Sequence, residues 1–280
     1  MGVNFTHTHT HTHTHTHTGW QRGDTIFRKK KLIRWLGGKH LLAPKIISLM
    51  PEHNCYCEVF AGGASVFWQK QPSKTEVLND IHKDLINLYR VVQYHPEEFI
   101  KNFQWLLRSR EEFYRQLSLP PHALTDIQRA VRTLYIIKNC FGGRYLNPGF
   151  GCTTDCRKIF SVRSIEELLL ACHQRLEGVT LECLDYKECI ARYDRPDTLF
   201  YLDPPYYGCE GYYGNDWQRD DFKKLAEILR GIKGKFLLSI NDTPETREIF
   251  KEFTVIQVKT RYSAAKEGNK QVRELVYKNF

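Results

Sequence analysis

Two adjacent prolines set directly behind a hydrophobic run constrain this chain more than any other feature. Thr198 to Leu202 (TLFYL) are β-branched, aromatic or aliphatic, the pattern of a short buried strand. Pro204 and Pro205 cannot donate to a β-ladder and bias the residue before each of them away from the α region, so the strand must stop at Asp203. Tyr206 and Tyr207 follow, and Gly208 lets the chain turn. An acid is left at the carboxyl end of a strand, beside a stiffened carbonyl and a flat ring. Open α/β sheets bind ligands at that position. The plainer alternative is a strand and turn whose tyrosines pack into the core.

Residues 1–24 lie outside the fold: His7 to His17 alternate with Thr as an affinity tag, and residues 19–24 read as its junction. The six remaining histidines show no metal-ligand spacing. Nine cysteines without a paired CxxC arrangement, and without a secretory signal, read as reduced thiols rather than a metal framework. No apolar run approaches the roughly 20 residues of a membrane span. The chain is therefore expected to be cytoplasmic, with no metal. Charge is unevenly spread, with net +6 over residues 19–57, +7 over 101–163 and −7 over 164–220. Cations concentrated in two segments are the electrostatic footprint of a polyanionic partner.

Taken in order, Gly37-Gly38-Lys39 follows a cationic and apolar run and offers close backbone approach with an ammonium beside it. It lacks the spacing of a P-loop. Leu41 to Leu49 read as a helix, with Pro44 tolerable in its first turn. A strand, Cys55 to Phe60, runs into the turn Ala61-Gly62-Gly63-Ala64-Ser65, and a helix is predicted over Val66 to Lys70. A second strand, Thr75 to Asn79, ends at Asp80, placed either to accept bonds from ribose hydroxyls or to cap the helix predicted over Ile81 to Tyr94. From Pro96 to Arg163 the βα rhythm breaks into three helices and a Gly- and Asn-rich loop carrying Arg144, Tyr145, Asn147, Arg157 and Lys158. Arg and Asn are the side chains that read guanine and adenine edges bidentately. The alternative is a glycine-rich connector with solvated cations. Ser164 is placed to cap a helix over Ile165 to Leu176, and strands and helices then alternate again to a terminal hairpin. Tyr212, Tyr213 and Trp217, spaced by Gly and Asn, suit a lid better than a core. The expected fold is α/β: a mostly parallel sheet with an antiparallel C-terminal hairpin, built from residues 25–95 and 164–280, with an inserted helical module over 96–163.

Four motifs in sequence, IRWLGGK, EVFAGGASVFW, LNDIHKDLINLY and YLDPPYYG, resemble those of the Dam-like DNA adenine N6-methyltransferases in which the cofactor half precedes the catalytic half. The likeness runs from Phe27 to Phe280. It implies a Rossmann-like methyltransferase sheet, S-adenosylmethionine as donor with S-adenosylhomocysteine as product, and double-stranded DNA as substrate. It puts Trp35 and Lys39 at the methionine end of the donor, Phe60 and Gly62 in the glycine turn, Asp80 at the ribose, and Asp185 and Tyr186 by the adenine ring. Asp203 would stand by the donor's amino group as well as the target base, and Asp203, Pro204 and Tyr206 become the catalytic residues. IKNCFGGRYLN resembles the family's target-recognition loop, while PGFGCTTDCRK lacks the segment that follows in enzymes specific for GATC. A cognate restriction endonuclease is a further partner that the resemblance allows. The same acceptor geometry would serve a cytosine N4, RNA or protein-amide methyltransferase, and a DNA-binding relative without catalysis remains the alternative of another class.

Overall fold

A computed structural model describes residues 31–33, 35, 37–140, 148–151, 162–210, 217–261 and 271–280 of the chain. Seven strands form one sheet: β1 (Cys55–Glu58), β2 (Thr75–Asn79), β3 (Thr180–Glu182), β4 (Thr198–Leu202), β5 (Lys235–Asn241), β6 (Thr254–Arg261) and β7 (Gln271–Lys278). Their spatial order is β3-β2-β1-β4-β5-β7-β6. The first five run parallel, and β7 enters antiparallel between β5 and β6. From β1 the chain leaves toward β2 on one side, and β4 lies on the other, so the carboxyl ends of β1 and β4 flank the crevice where the strand order reverses.

Period-two alternation assigns each face of the sheet. Tyr56, Leu78, Leu199, Tyr201, Leu237 and Val276 face one core, covered by α1 (Ala43–Ser48), α2 (Lys83–Tyr94), α3 (Pro96–Phe103), α5 (Asp126–Asn139) and α6 (Val162–Leu176). Cys57, Phe200, Leu202, Leu238 and Tyr277 face a second core beneath α7 (Tyr186–Tyr193), α8 (Arg219–Gly231) and the end of α9 (Pro244–Ile249). All five residues of β4 are buried, as a strand covered on both faces requires.

Helix α4 (Arg110–Ser118) starts on Ser109, whose hydroxyl accepts from Glu112 N, and a Thr125/Gln128 capping box starts α5. The helices of the 96–139 stretch do not build a core of their own: Phe99, Phe103, Phe113 and Leu134 share the first core with the sheet residues Tyr56 and Tyr201. Apolar faces on α3 and α5 are satisfied by packing on α2 and α6 rather than by one another alone. Three buried charges on this side pair with one another. Glu76 receives Lys70 at 2.5 Å and Arg175 at 2.5 and 3.0 Å.

Local expectations differ from the structure in three places. Val66 to Lys70 form successive turns instead of a helix, because Gly63 O and Glu58 Oε2 take hydrogen bonds from Trp68 Nε1 and Phe67 N and fold that stretch against the sheet. Ser164 is the third residue of α6 rather than its cap. The cap of α2 is His82, whose ring accepts from Leu85 N, and not Asp80. The seven described cysteines are free thiols. Among the described residues no helix is long and apolar enough to cross a membrane.

Candidate active site

The carboxyl ends of β1 to β4 open onto one cavity of about 690 Å³. Trp35, Lys39, Phe60, Gly62, Asp80, Asp185, Tyr186 and Asp203 all line it, so stretches of chain far apart in sequence are brought together. Pro204 and Tyr206 stand immediately beyond, with Pro205 on the wall. Arg144, Tyr145, Asn147, Arg157 and Lys158, and with them Tyr212 and Tyr213, lie outside the described residues.

The glycine turn is shaped from two sides. Asp80 Oδ2 accepts from Gly62 N at 2.8 Å and Oδ1 from His82 N at 2.9 Å, tying the ends of β1 and β2 into one rim. Gly62 has φ +46°, in the left-handed region, and a Cβ there would sit 2.9 Å from Trp35 Cδ1. A Cβ on Gly63 would meet Trp35 Cβ at 2.9 Å. The glycines therefore make room for Trp35, which packs across the turn and meets the His82 ring edge-on at 5.8 Å. Asn79 fastens the β2 and β3 ends, donating to Val59 O and Leu184 O and accepting from Leu184 N.

Aromatic rings form the opposite wall. Phe60 and Tyr186 stack at 5.9 Å, and Trp217 closes on both at 5.4 and 5.0 Å. Trp217 is 6 % exposed and belongs to the second core, so it is not part of a solvated lid. Its position follows from α8 beginning just after it, which packs Phe222 against the indole at 5.3 Å. Its Nε1 is buried with no hydrogen-bond partner among the described residues. Asp185 caps α7 by accepting from Lys187 N at 2.9 Å.

Asp203 continues the alternation of β4, so its side chain falls on the face of Tyr201 and Glu58. Its Oδ1 accepts from Lys39 Nζ at 2.5 Å and from Ser239 Oγ at 3.3 Å, while Tyr201 OH lies 2.9 Å from the same hydroxyl. Burial pushes its carboxyl up to about 6, with Lys39 acting against that rise. Glu58 is also buried on this wall; burial lifts it to about 8, opposed by the Tyr56 hydroxyl that donates to it at 2.8 Å. Lys39 reaches Gly37 O at 3.2 Å, Glu274 Oε1 at 3.4 Å and the Tyr206 ring at 4.5 Å. Tyr206 OH donates to Glu274 at 2.9 Å, and Asn241 clamps both backbone groups of Tyr207 at 3.0 Å. Glu58, Ser239, Asn241 and Glu274 were not legible as site residues. Their only sequence signal is a polar residue inside a buried strand, and β7 reaches this end of the sheet because it is antiparallel, pairing Asn241 with Glu274.

Residues 35–264, which carry the acid at the end of β4, the second acid on the neighbouring rim and the glycine turn, match one family profile, that of the D12 class N6 adenine-specific DNA methyltransferases. The chain belongs to this family. As a D12 class member it is a DNA methyltransferase acting on adenine N6, which removes the cytosine, RNA and protein-amide alternatives. Similar proteins include the Type II methyltransferase M1.LlaDCHI of Lactococcus lactis subsp. cremoris, 28 % identical with 88 % of this chain and 94 % of that protein covered. DNA adenine methylases of Serratia marcescens (25 % identical, 89 % and 98 % covered) and Salmonella typhi (29 %, 89 % and 95 %) are related over similar lengths.

Proposed function

We propose that Asp203 and the Pro204 carbonyl receive the N6 amine of a flipped adenine in double-stranded DNA, with S-adenosylmethionine bound between the glycine turn and the aromatic wall. One observation carries the reading: the carboxylate of Asp203, 19 % exposed, opens onto the same cavity as Asp80 and Gly62. The residues present fit that donor. Burial raises Asp80, Glu58 and Asp203 together, so a ligand bearing sulfonium and ammonium charge would relieve the cost of ionising them. The buried Trp217 Nε1 lacks an acceptor, and an adenine ring nitrogen supplies one. Trp35 and Lys39 would hold the methionine end, Asp80 the ribose, and Phe60, Asp185 and Tyr186 the adenine. Bound there, S-adenosylmethionine would supply an electrophilic methyl group and leave as S-adenosylhomocysteine.

An exocyclic adenine amine is a poor nucleophile because its lone pair is delocalised into the ring, and the base must leave the duplex stack to be reached. Accepting one N6 hydrogen at Asp203 Oδ and another at the Pro204 carbonyl draws the nitrogen toward tetrahedral geometry. Pro204 and Pro205 fix that carbonyl before the base arrives, which is electrostatic preorganisation. Tyr206 offers a ring for stacking, worth roughly 1–3 kcal/mol per base. The +7 segment over 101–163 would carry the DNA, with Arg144, Tyr145, Asn147, Arg157 and Lys158 as its contacts and a GATC-like or relaxed target. The Type II name of the Lactococcus relative supports pairing with a restriction endonuclease, and absence of a membrane-length helix among the described residues accords with a cytoplasmic enzyme.

Asp203→Ala tests the reading. Methylation of DNA should fall by more than the roughly 10²–10³-fold of one lost stabilising contact, with an unchanged circular dichroism spectrum. A variant that still methylates would refute it. Sequencing methylated genomic DNA would read the target directly.

A further inference from the structure

Asp203, the proposed acceptor for the target amine, already receives Lys39 on Oδ1 at 2.5 Å. The ammonium is buried, with a side-chain exposure of 4 %, so it cannot be released into water when the base docks. A second carboxylate stands within reach: Glu274, 1 % exposed, has Oε1 3.4 Å from the same Nζ. Resting on the reading of Asp203 given above, we infer that Glu274 is a positioning residue, taking over Lys39 so that Asp203 is freed for the N6 amine, while its Oε1 holds the Tyr206 hydroxyl.

The geometry makes the exchange a short one. A charge-assisted N–H···O bond is about 2.7–2.9 Å long, so Lys39 needs to shift by only about 0.6 Å toward Glu274 to trade one full ion pair for another. The base brings no charge of its own. Without Glu274, releasing Asp203 would take from this buried ammonium both carboxylates that the described residues set beside it, a change that disfavours the docked state. The antiparallel pairing of β7 with β5 supplies the carboxylate from the side opposite β1, and it is this register, Asn241 against Glu274, that brings it to the pocket. Tyr206 OH at 2.9 Å from Glu274 and its ring 4.5 Å from Lys39 link the exchange to the ring on which the base would stack.

Glu274→Gln isolates the charge, since the amide oxygen can still accept from Tyr206. In single-turnover methylation it should lower the saturating rate constant about 100-fold, with the affinity for DNA changed less than about threefold. In a Lys39→Met background, however poorly that variant works, the same substitution should cost less than twofold more. An independent readout is the titration of the Asp203 carboxyl carbon by NMR in the DNA-free protein, assigned with Asp203→Asn. The groups facing it are Lys39, Glu274, Glu58, Tyr201 and Ser239. Removing the Glu274 charge and leaving Lys39 to Asp203 alone should move the midpoint below its present value of about 6. An equal loss with and without Lys39, an unmoved midpoint, or full activity of Glu274→Gln would overturn the exchange. The Asp203 reading would survive those results provided Asp203→Ala is inactive, whereas an active Asp203→Ala would remove both.

Discussion

The pH dependence of stability should carry the signature of one residue, Glu58. Its carboxyl is buried at 2 % exposure, accepts from Tyr56 OH and Phe67 N on Oε2, and is lifted from 4.5 to about 8, chiefly by burial. The folded protein thus keeps a proton at Glu58 that the unfolded chain loses above its ordinary carboxylate pKa. Stability from this group is fully present below pH 4.5 and is lost as pH rises toward 8. At 1.36 kcal/mol per pKa unit, integration from pH 5 to 7.5 gives a loss of about 3 kcal/mol. Glu58→Gln mimics the protonated acid: the amide oxygen accepts the same two bonds and no charge can form. Urea denaturation of both proteins across this range should show the wild type losing about 3 kcal/mol more than the variant. At pH 5 the two should be nearly equal. Parallel profiles from pH 5 to 7.5 would refute a protonated Glu58 in the folded state.

Other substitutions probe the remaining walls. Trp217→Phe removes a buried donor without a partner, so the ligand-free protein should gain about 1 kcal/mol by denaturant melt while calorimetric affinity for S-adenosylmethionine falls about 3- to 10-fold. Gly62→Ala puts a Cβ 2.9 Å from Trp35 Cδ1 at φ +46°; a loss of about 1–3 kcal/mol in stability is expected, and Trp35→Ala should restore only the steric part. Tyr206→Phe keeps the ring and loses the bond to Glu274, so single-turnover methylation should drop only a few-fold. Tyr206→Ala should cost the stacking as well, a further loss of about 10- to 100-fold.

What was legible from residues alone was everything that a single stretch of chain dictates. The two prolines fix the end of β4, the glycine turn follows β1, and Asp80 follows β2 regardless of what packs on them. Residues whose role depends on register were not legible. Glu274 and Ser239 look like ordinary strand polarity until β7 is paired with β5. Trp217 sits among Gly, Asn and Tyr, a composition that reads as solvated, yet α8 draws its indole into the core. Val66 to Lys70 have a helix-compatible pattern, but Glu58 takes Phe67 N and the Trp68 indole takes Gly63 O, the two groups that a helical turn would pair. The basic segment was legible as a break in rhythm, while its shared core with the sheet depends on which faces of α2 and α6 are left for it.

The Lys39–Asp203 contact closes a loop of 164 residues. Contacts of such separation give little local reward for their entropy and belong to the late, slow part of folding. The pocket wall, drawn from residues between Trp35 and Asp221, is therefore complete only after the strands beneath it have registered. A ligand that needs this pocket will bind the finished fold and no partial one, and will stabilise it by mass action. Recovery of cofactor affinity during refolding should thus trail the return of secondary structure, reporting the moment at which the two distant ends of the chain meet.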